Sequence, residues 1–326
     1  MSVIVGQPER IRVLLAHHRP RYGEVLFRVL VMIASLTVIA VIAGLIAVIG
    51  VQSLKGIAHN GPGFLTGTVW DPVHQVFGAL PFIYGTLLTA VTALVLAMLI
   101  GVGVALFLVD MAPPRLARPI GFMVELLAAI PSVVYGLWGI FVLAPWLRDF
   151  VEVPLHDTLG WLPFFSGTPI GIGNLAAVVV LTIMVLPTVA AVSRDVIAAV
   201  PLSQREAALA LGATRWEMIR IGVLPYARSG VMGAGILGLA RGVGETMAVT
   251  MVIGNAPTIS LSFFSQGYTM ASVIANEFSE ATTELYRSSL MEIGLLLLIV
   301  TLVTNAVARL LVWRVAYGSR AGTLLA

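Results

Sequence analysis

An arginine and a glutamate lie four residues apart in an apolar stretch that reads Gly238-Leu239-Ala240-Arg241-Gly242-Val243-Gly244-Glu245-Thr246-Met247-Ala248-Val249-Thr250. A charge at the centre of a bilayer costs roughly 2.5–3.5 kcal/mol even on the lenient insertion scale, so such a pair needs a reason. Arginine offers its donors in a rigid planar fork that matches a tetrahedral oxyanion. A pair at i and i+4 shares one helix face, so Glu245 can partly neutralise Arg241. Gly242 and Gly244 leave the backbone beside the pair uncluttered, so that a solute or a second helix can approach. This is chemistry for holding and releasing an anion, with no bond broken. Arg241 and Glu245 are expected to line a polar path, Glu245 partnering Arg241 when the path is empty. A self-satisfied pair that locks its helix against the neighbours is the other reading.

Two more carboxylates, Glu125 and Glu292, fall in apolar runs but nearer their ends, where snorkelling or polar packing between helices is expected. Pro131 and Pro187 also fall inside runs and are expected to kink them. No catalytic residue is expected. No paired carboxylate, nucleophile motif or metal-binding constellation stands in a sensible context, and His17, His18, His59, His74 and His156 all fall in or near loops. The single lysine, Lys55, precedes Gly56, whereas a phosphate-binding loop needs Gly-Lys-Ser/Thr so that the lysine reaches the phosphates and the hydroxyl holds magnesium. The chain is therefore expected to bind no nucleotide, metal or other cofactor and not to be an enzyme by itself. With no cysteine, it has no disulfide and no thiolate metal site.

The elements that must position these residues are membrane helices. Of the 326 residues, 59% are hydrophobic and 11% charged, and the mean hydropathy is +0.99; soluble domains carry about 25% charged residues. Six runs, 25–51, 82–109, 120–147, 172–193, 231–253 and 288–313, each reach the roughly 20 apolar residues that cross about 30 Å of hydrocarbon. The first is too long for a signal-peptide core and reads as an uncleaved anchor. Arg10, Arg12, Arg19, Arg21, Arg28, Arg115, Arg118, Arg194, Arg205, Arg215, Arg220, Arg228, Arg309, Arg314 and Arg320 fall on one side, against Lys55, Arg148 and Arg287 on the other. That asymmetry predicts two cytoplasmic termini. The basic balance then reflects topology and anionic membrane lipid, not nucleic acid. The organisation expected is a cytoplasmic segment 1–24, a six-helix membrane domain 25–315 and a cytoplasmic tail 316–326, all-α and without internal repeats. Two long loops face the other side. The first, 52–81, is rich in glycine and proline; the second, 254–287, contains a predicted short surface helix over 269–278.

The loop 194–230 carries a second constellation, Glu206-Ala207-Ala208-Leu209-Ala210-Leu211-Gly212, followed by Gly222-Val223-Leu224-Pro225. Ser203-x-x-Glu206 and Thr214-x-x-Glu217 are capping-box patterns, each able to start a short helix. Gly212, between them, suits the left-handed residue that ends the first helix. Two short helices meeting at a glycine make a knuckle that protrudes from the membrane.

This loop resembles the EAA loop of binding-protein-dependent ABC importer permeases of the type I, MetI-like fold. Its one departure is Gly222, where that pattern usually has isoleucine. More narrowly, Glu125-Leu126-Leu127-Ala128-Ala129-Ile130-Pro131-Ser132-Val133-Val134-Tyr135-Gly136 and the string from Ala240 to Asn255 look like the C-type permease subunits of bacterial phosphate-specific transport systems. Trp70-Asp71-Pro72 and Phe77-Gly78-Ala79-Leu80-Pro81 fit the same group, and the likeness runs from about 25 to 315. The resemblance implies a bacterial inner-membrane permease that imports inorganic phosphate by alternating access. It implies a related A-type permease, two ATPase subunits that use ATP and magnesium, and an extracytoplasmic phosphate-binding protein as partners. Arg241 and Glu245 would line the path, and Glu206, Ala207, Ala208 and Gly212 would couple to the ATPase. Open alternatives are the same machine for molybdate or sulfate, an ion-coupled secondary transporter using Glu245, Glu125 and Glu292, and a membrane sensor without flux.

Overall fold

The computed structural model describes residues 22–317. Most of the expected N-terminal segment, with Arg10, Arg12, Arg19, Arg21, His17 and His18, and the end of the tail, with Arg320, lie outside the described residues. Six helices among the described residues are long and apolar enough to cross a membrane, as a multi-pass membrane protein requires.

The first helix, α1 (Tyr22–Asn60), begins as a unit of its own over residues 22–51. Its apolar side chains from Val25 to Val48 lie open within the chain, the surface a lipid-facing helix presents.

The remaining helices form the second unit. They are α2 (Leu80–Met111), α3 (Pro114–Ala129), α4 (Ser132–Leu159), α5 (Asn174–Ala198), α6 (Leu202–Ala210), α7 (Arg215–Val243), α8 (Met247–Val252), α9 (Met270–Glu277) and α10 (Glu284–Tyr317). Helix α2 carries a stripe of small residues, Ala90, Ala93, Ala97 and Gly101, that lets α5 approach closely; a Cβ at Gly101 would lie 3.0 Å from Val189 Cγ1. Gly238 plays the same part on α7, where a Cβ would lie 2.9 Å from both Val185 and Val189. The main core is this seam of α2, α5 and α7, closed by Tyr135, Leu143 and Leu147 of α4 and Ala248 to Ile253.

Two expected spans are divided. The run 120–147 breaks at Ile130 and Pro131, both extended with ψ of 128° and 140°, so α3 ends there and the spanning helix is α4. The proline ring disfavours helical geometry in the residue before it, and here it starts a new helix where a kink was expected. Pro187, by contrast, lies inside an unbroken α5. The run 231–253 starts earlier, within α7, and breaks after Val243.

At the Asn174 end of α5 a cap covers the bundle. Beyond Asn60 the chain makes one 3-10 turn (Gly61–Leu65) and a small hairpin, β1 (Trp70–Asp71) with β2 (Val76–Phe77). Trp70 meets Phe77 at 4.9 Å and Phe82 at 5.0 Å between ring centres, and Phe82 meets Tyr268 at 5.3 Å. Glu277 accepts hydrogen bonds from Trp70 Nε1 at 2.7 Å and the Tyr286 hydroxyl at 2.6 Å. Lys55 pairs with Glu284 beside them. The short helix read over 269–278 is present as α9, but Met270, Ala271, Ser272 and Val273 are buried, so it packs into the cap and does not lie on the surface. Its Thr269 hydroxyl accepts from the Ser272 amide and caps it. At the hairpin tip Asp71 Oδ1 accepts from the Val73 and His74 amides, and the His74 ring sits 2.6 Å from Oδ2. The His74 ring bond, then the His74 amide, hold the Asp71 carboxyl below its ordinary value.

Candidate functional site

Arg241 stands two residues before the end of α7, and its side chain is exposed in this chain. Its level is fixed by the next residue: a Cβ on Gly242 would lie 3.7 Å from Val185, 3.8 Å from Leu181 and 3.8 Å from Ala90. Those residues fall in the middle stretches of α5 and α2, so Arg241 stands at mid-length of the bundle, on an open face of it. The helix ends two residues later, and the carbonyl ends of its last turn favour a cation there.

The expected i, i+4 pairing of Arg241 with Glu245 is not formed. Helix α7 stops at Val243, Thr246 leaves the regular helical path at φ −113° and ψ −67°, and α8 begins at Met247. Glu245 therefore leaves the Arg241 face; its Oε1 accepts instead from the Ala248 amide at 3.3 Å, at the start of α8. Among the described residues no ion pair joins the two. The break falls just after the glycines read as clearance for a solute, and membrane proteins tolerate irregular backbone within the bilayer only where it is buried in protein or lines a cavity.

An extended strap holds the short α8 in place. Gly173 donates to Val252 at 3.0 Å, Gly267 to Ile253 at 3.0 Å, and Asn174 to Ser265 at 3.0 Å. Asn255, at φ 54°, turns its amide back to the Thr250 carbonyl at 2.9 Å. Sequence reading missed this strap, because none of its anchors is a local pattern.

The other two carboxylates have structural partners. Glu125 lies on α3, outside the spanning helices, and accepts from Arg194 Nη1 at 2.8 Å, tying α3 to the far end of α5. The break at Pro131 thus corrects its expected place within the third span. Glu292 is buried where α10 crosses the last turns of α1, with Asn60 Nδ2 at 2.9 Å and Gly56 leaving no room for a Cβ. That is the polar packing between helices expected for it.

At the α5 end opposite the cap, the loop folds as α6, a turn and the start of α7. Gly212 has φ +85°, the left-handed turn its position demanded. Thr214 and Glu217 form the full capping box, the Thr214 hydroxyl accepting from the Glu217 amide at 3.3 Å and the carboxylate from the Thr214 amide at 2.8 Å. The Ser203 box is absent: α6 starts directly after Pro201, whose fixed φ of −56° opens the helix without a side-chain cap. The second helix is not short either, since it runs unbroken into α7 through a wide turn at Ile219–Val223. Glu206, Ala207 and Gly212 are exposed, while Ala208 is buried against the chain itself. Beside them Leu211 is 87% and Trp216 59% exposed, an apolar surface on a protruding loop. Gly222, the departure from the loop pattern, has a physical reason: a Cβ there would meet the Gln204 carbonyl at 3.1 Å.

The geometry can be set beside known proteins. Residues 93–317 match the family described as binding-protein-dependent transport system inner membrane components. The chain belongs to that family. A phosphate transport system permease protein PstC from Mesorhizobium japonicum is 43% identical over 297 residues, covering 90% of each chain. One from Xylella fastidiosa is 47% identical over 261 residues, covering 79% of this chain and 80% of that protein. A PstC 2 from Mycobacterium tuberculosis is 42% identical over 297 residues, covering 89% and 91%. The family resemblance read from the sequence is borne out. Among solved structures, an inward-facing MetNI methionine ABC transporter aligns with TM-score 0.54 at 20% identity, over 76% of this chain and 99% of that one. That likeness carries the MetI-like permease fold.

Proposed function

We propose that this chain is the C-type permease subunit of an ABC importer for inorganic phosphate in a bacterial inner membrane. The observation that carries the reading is Arg241: an exposed guanidinium at mid-length of the bundle, at a helix break, without a carboxylate partner among the described residues. A fork of donors at that level suits a tetrahedral oxyanion, and the PstC names of the relatives give the oxyanion as phosphate. Glu245, across the break, keeps a negative charge near the path, so that an anion is held weakly and released.

The loop end supports the rest of the machine. Glu206, Ala207, Gly212, Leu211 and Trp216 form the surface on which one of two ATPase subunits docks, and Ala208 sets the packing behind it. ATP and magnesium stay with those subunits. An A-type permease completes the path opposite Arg241, and an extracytoplasmic binding protein delivers phosphate at the cap. Both termini then lie in the cytoplasm with the loop, and ATP binding and hydrolysis drive alternating access.

Labelled phosphate uptake at micromolar concentration, in a deletion strain carrying this chain or Arg241→Ala, tests the reading. Uptake restored by the natural chain, unaffected by excess sulfate or molybdate, and at least 100-fold lower in an assembled Arg241→Ala complex is expected. Competition by molybdate or sulfate would reassign the oxyanion. Full uptake by Arg241→Ala would remove that residue from the path.

A further inference from the structure

A single guanidinium joins the protruding loop to the bundle. Arg205, on the inner side of α6, donates through Nε to Asp110 Oδ1 at 3.0 Å, through Nη2 to the Ile197 carbonyl at 2.8 Å, and through Nη1 to the Val200 carbonyl. The Arg205 and Asp110 side chains keep only 13% and 4% of their exposure. Asp110 lies in the wide turn Phe107–Met111 that ends α2, and Ile197 and Val200 close α5. Three elements therefore meet on one side chain. On the other flank of α6, Gly222 admits the Gln204 carbonyl and ties the same helix to the first turns of α7.

A buried ion pair differs from an apolar contact in what its separation costs. Either charge left behind without its partner is penalised heavily, so the two resist parting while they stay out of water. An apolar contact can slide. The path from the pair to Arg241 runs about 30 Å along α2 and is packed throughout: α2 and α5 are joined along Ala90, Ala93, Ala97 and Val189, and Gly242 rests on Ala90, Leu181 and Val185.

We propose that the Arg205–Asp110 pair makes α6, α2 and α5 one body, so that displacement of the loop is delivered to the helices around Arg241. Arg205 and Asp110 are positioning residues for transport. The proposal rests on the reading of this loop as the ATPase docking surface.

The test uses the full reconstituted complex in proteoliposomes, reading phosphate imported per ATP hydrolysed and, separately, retention of the ATPase subunits. Arg205→Ala and Asp110→Asn should retain the ATPase but lose at least tenfold in phosphate per ATP. Unchanged coupling in both single variants overturns the proposal. Where Arg205→Ala fails to assemble, Asp110→Asn decides, because it keeps shape and one acceptor while removing the charge. A readout independent of transport comes from spin labels on cysteines placed at Leu211 and Leu99. One sharp distance through the ATP cycle, broadened by Arg205→Ala, supports the tether; an equally sharp distance in the variant overturns it. Normal ATPase retention in Gly212 variants would instead sink the docking surface and leave the label distances to judge the tether alone.

Discussion

At the cap, Trp70, Phe77, Phe82, Tyr268 and Tyr286 are turned onto one another and Glu277 takes up two of their polar hydrogens. At the loop end, Leu211 and Trp216 stand open while every backbone device beneath them, from Gly212 to the Thr214 cap, is complete. The same chain thus closes one end against itself and leaves apolar surface at the other on a firmly built support. A loop that was merely unfinished would be loose beneath its exposed residues. This one is ordered by its own hydrogen bonds, which supports the proposed docking of a partner on its apolar face.

Paired truncations break or sharpen that contrast. Phe82→Ala removes a fully buried ring and should lower stability by about 3–5 kcal/mol, read as thermal unfolding in detergent. Trp216→Ala should change stability by no more than about 0.5 kcal/mol, yet weaken ATPase association at least tenfold in co-purification. Equal stability losses from the two would erase the distinction between the ends. Next in size, Gly212→Ala forces a side chain into φ +85° and should cost on the order of 1 kcal/mol. Its docking loss should exceed what that strain alone produces.

The smallest expected effect lies at the cap hairpin and is a pH dependence. The folded Asp71 carboxyl is held below its ordinary value of 3.8, chiefly by the bond to the His74 ring. A lowered carboxyl stabilises above the unfolded value and loses that contribution as pH falls through the folded one. The Val73 and His74 amides should therefore exchange faster, relative to the intrinsic rate, as the pH drops below 3.8, and Asp71→Asn should abolish that dependence. A dependence below pH 3.8 that persists in Asp71→Asn would contradict the assignment.

How much of this was legible in the sequence follows from how far each signal reaches along the chain. Spans were visible because about 20 apolar residues in a row are matched to the thickness of a bilayer and to little else. Gly212 and the Thr214–Glu217 box were visible because they act within a single helical turn. The helix break after Val243 was not, since hydropathy runs on across it and only the two glycines hint at it. Pro131 announced a disturbance but not its size, and Pro201 silently replaced the Ser203 box by opening α6 itself. Arg205 and Asp110 read as ordinary charges, being 95 residues apart. Trp70 and Glu277 are 207 apart, and nothing local in either suggests that they meet.

The ion pair of Lys55 with Glu284 has a use beyond the cap it belongs to. Lys55 is the chain's only lysine, its side chain is 70% exposed, and there is no cysteine anywhere. The protein therefore arrives with one addressable internal amine and a blank thiol background. A membrane-impermeant amine reagent added to intact cells would tag Lys55 only if the cap faces outward, and a single engineered thiol at Leu211 would answer from the opposite compartment. The sidedness of the whole bundle can be read from two labelling reactions on an otherwise silent chain.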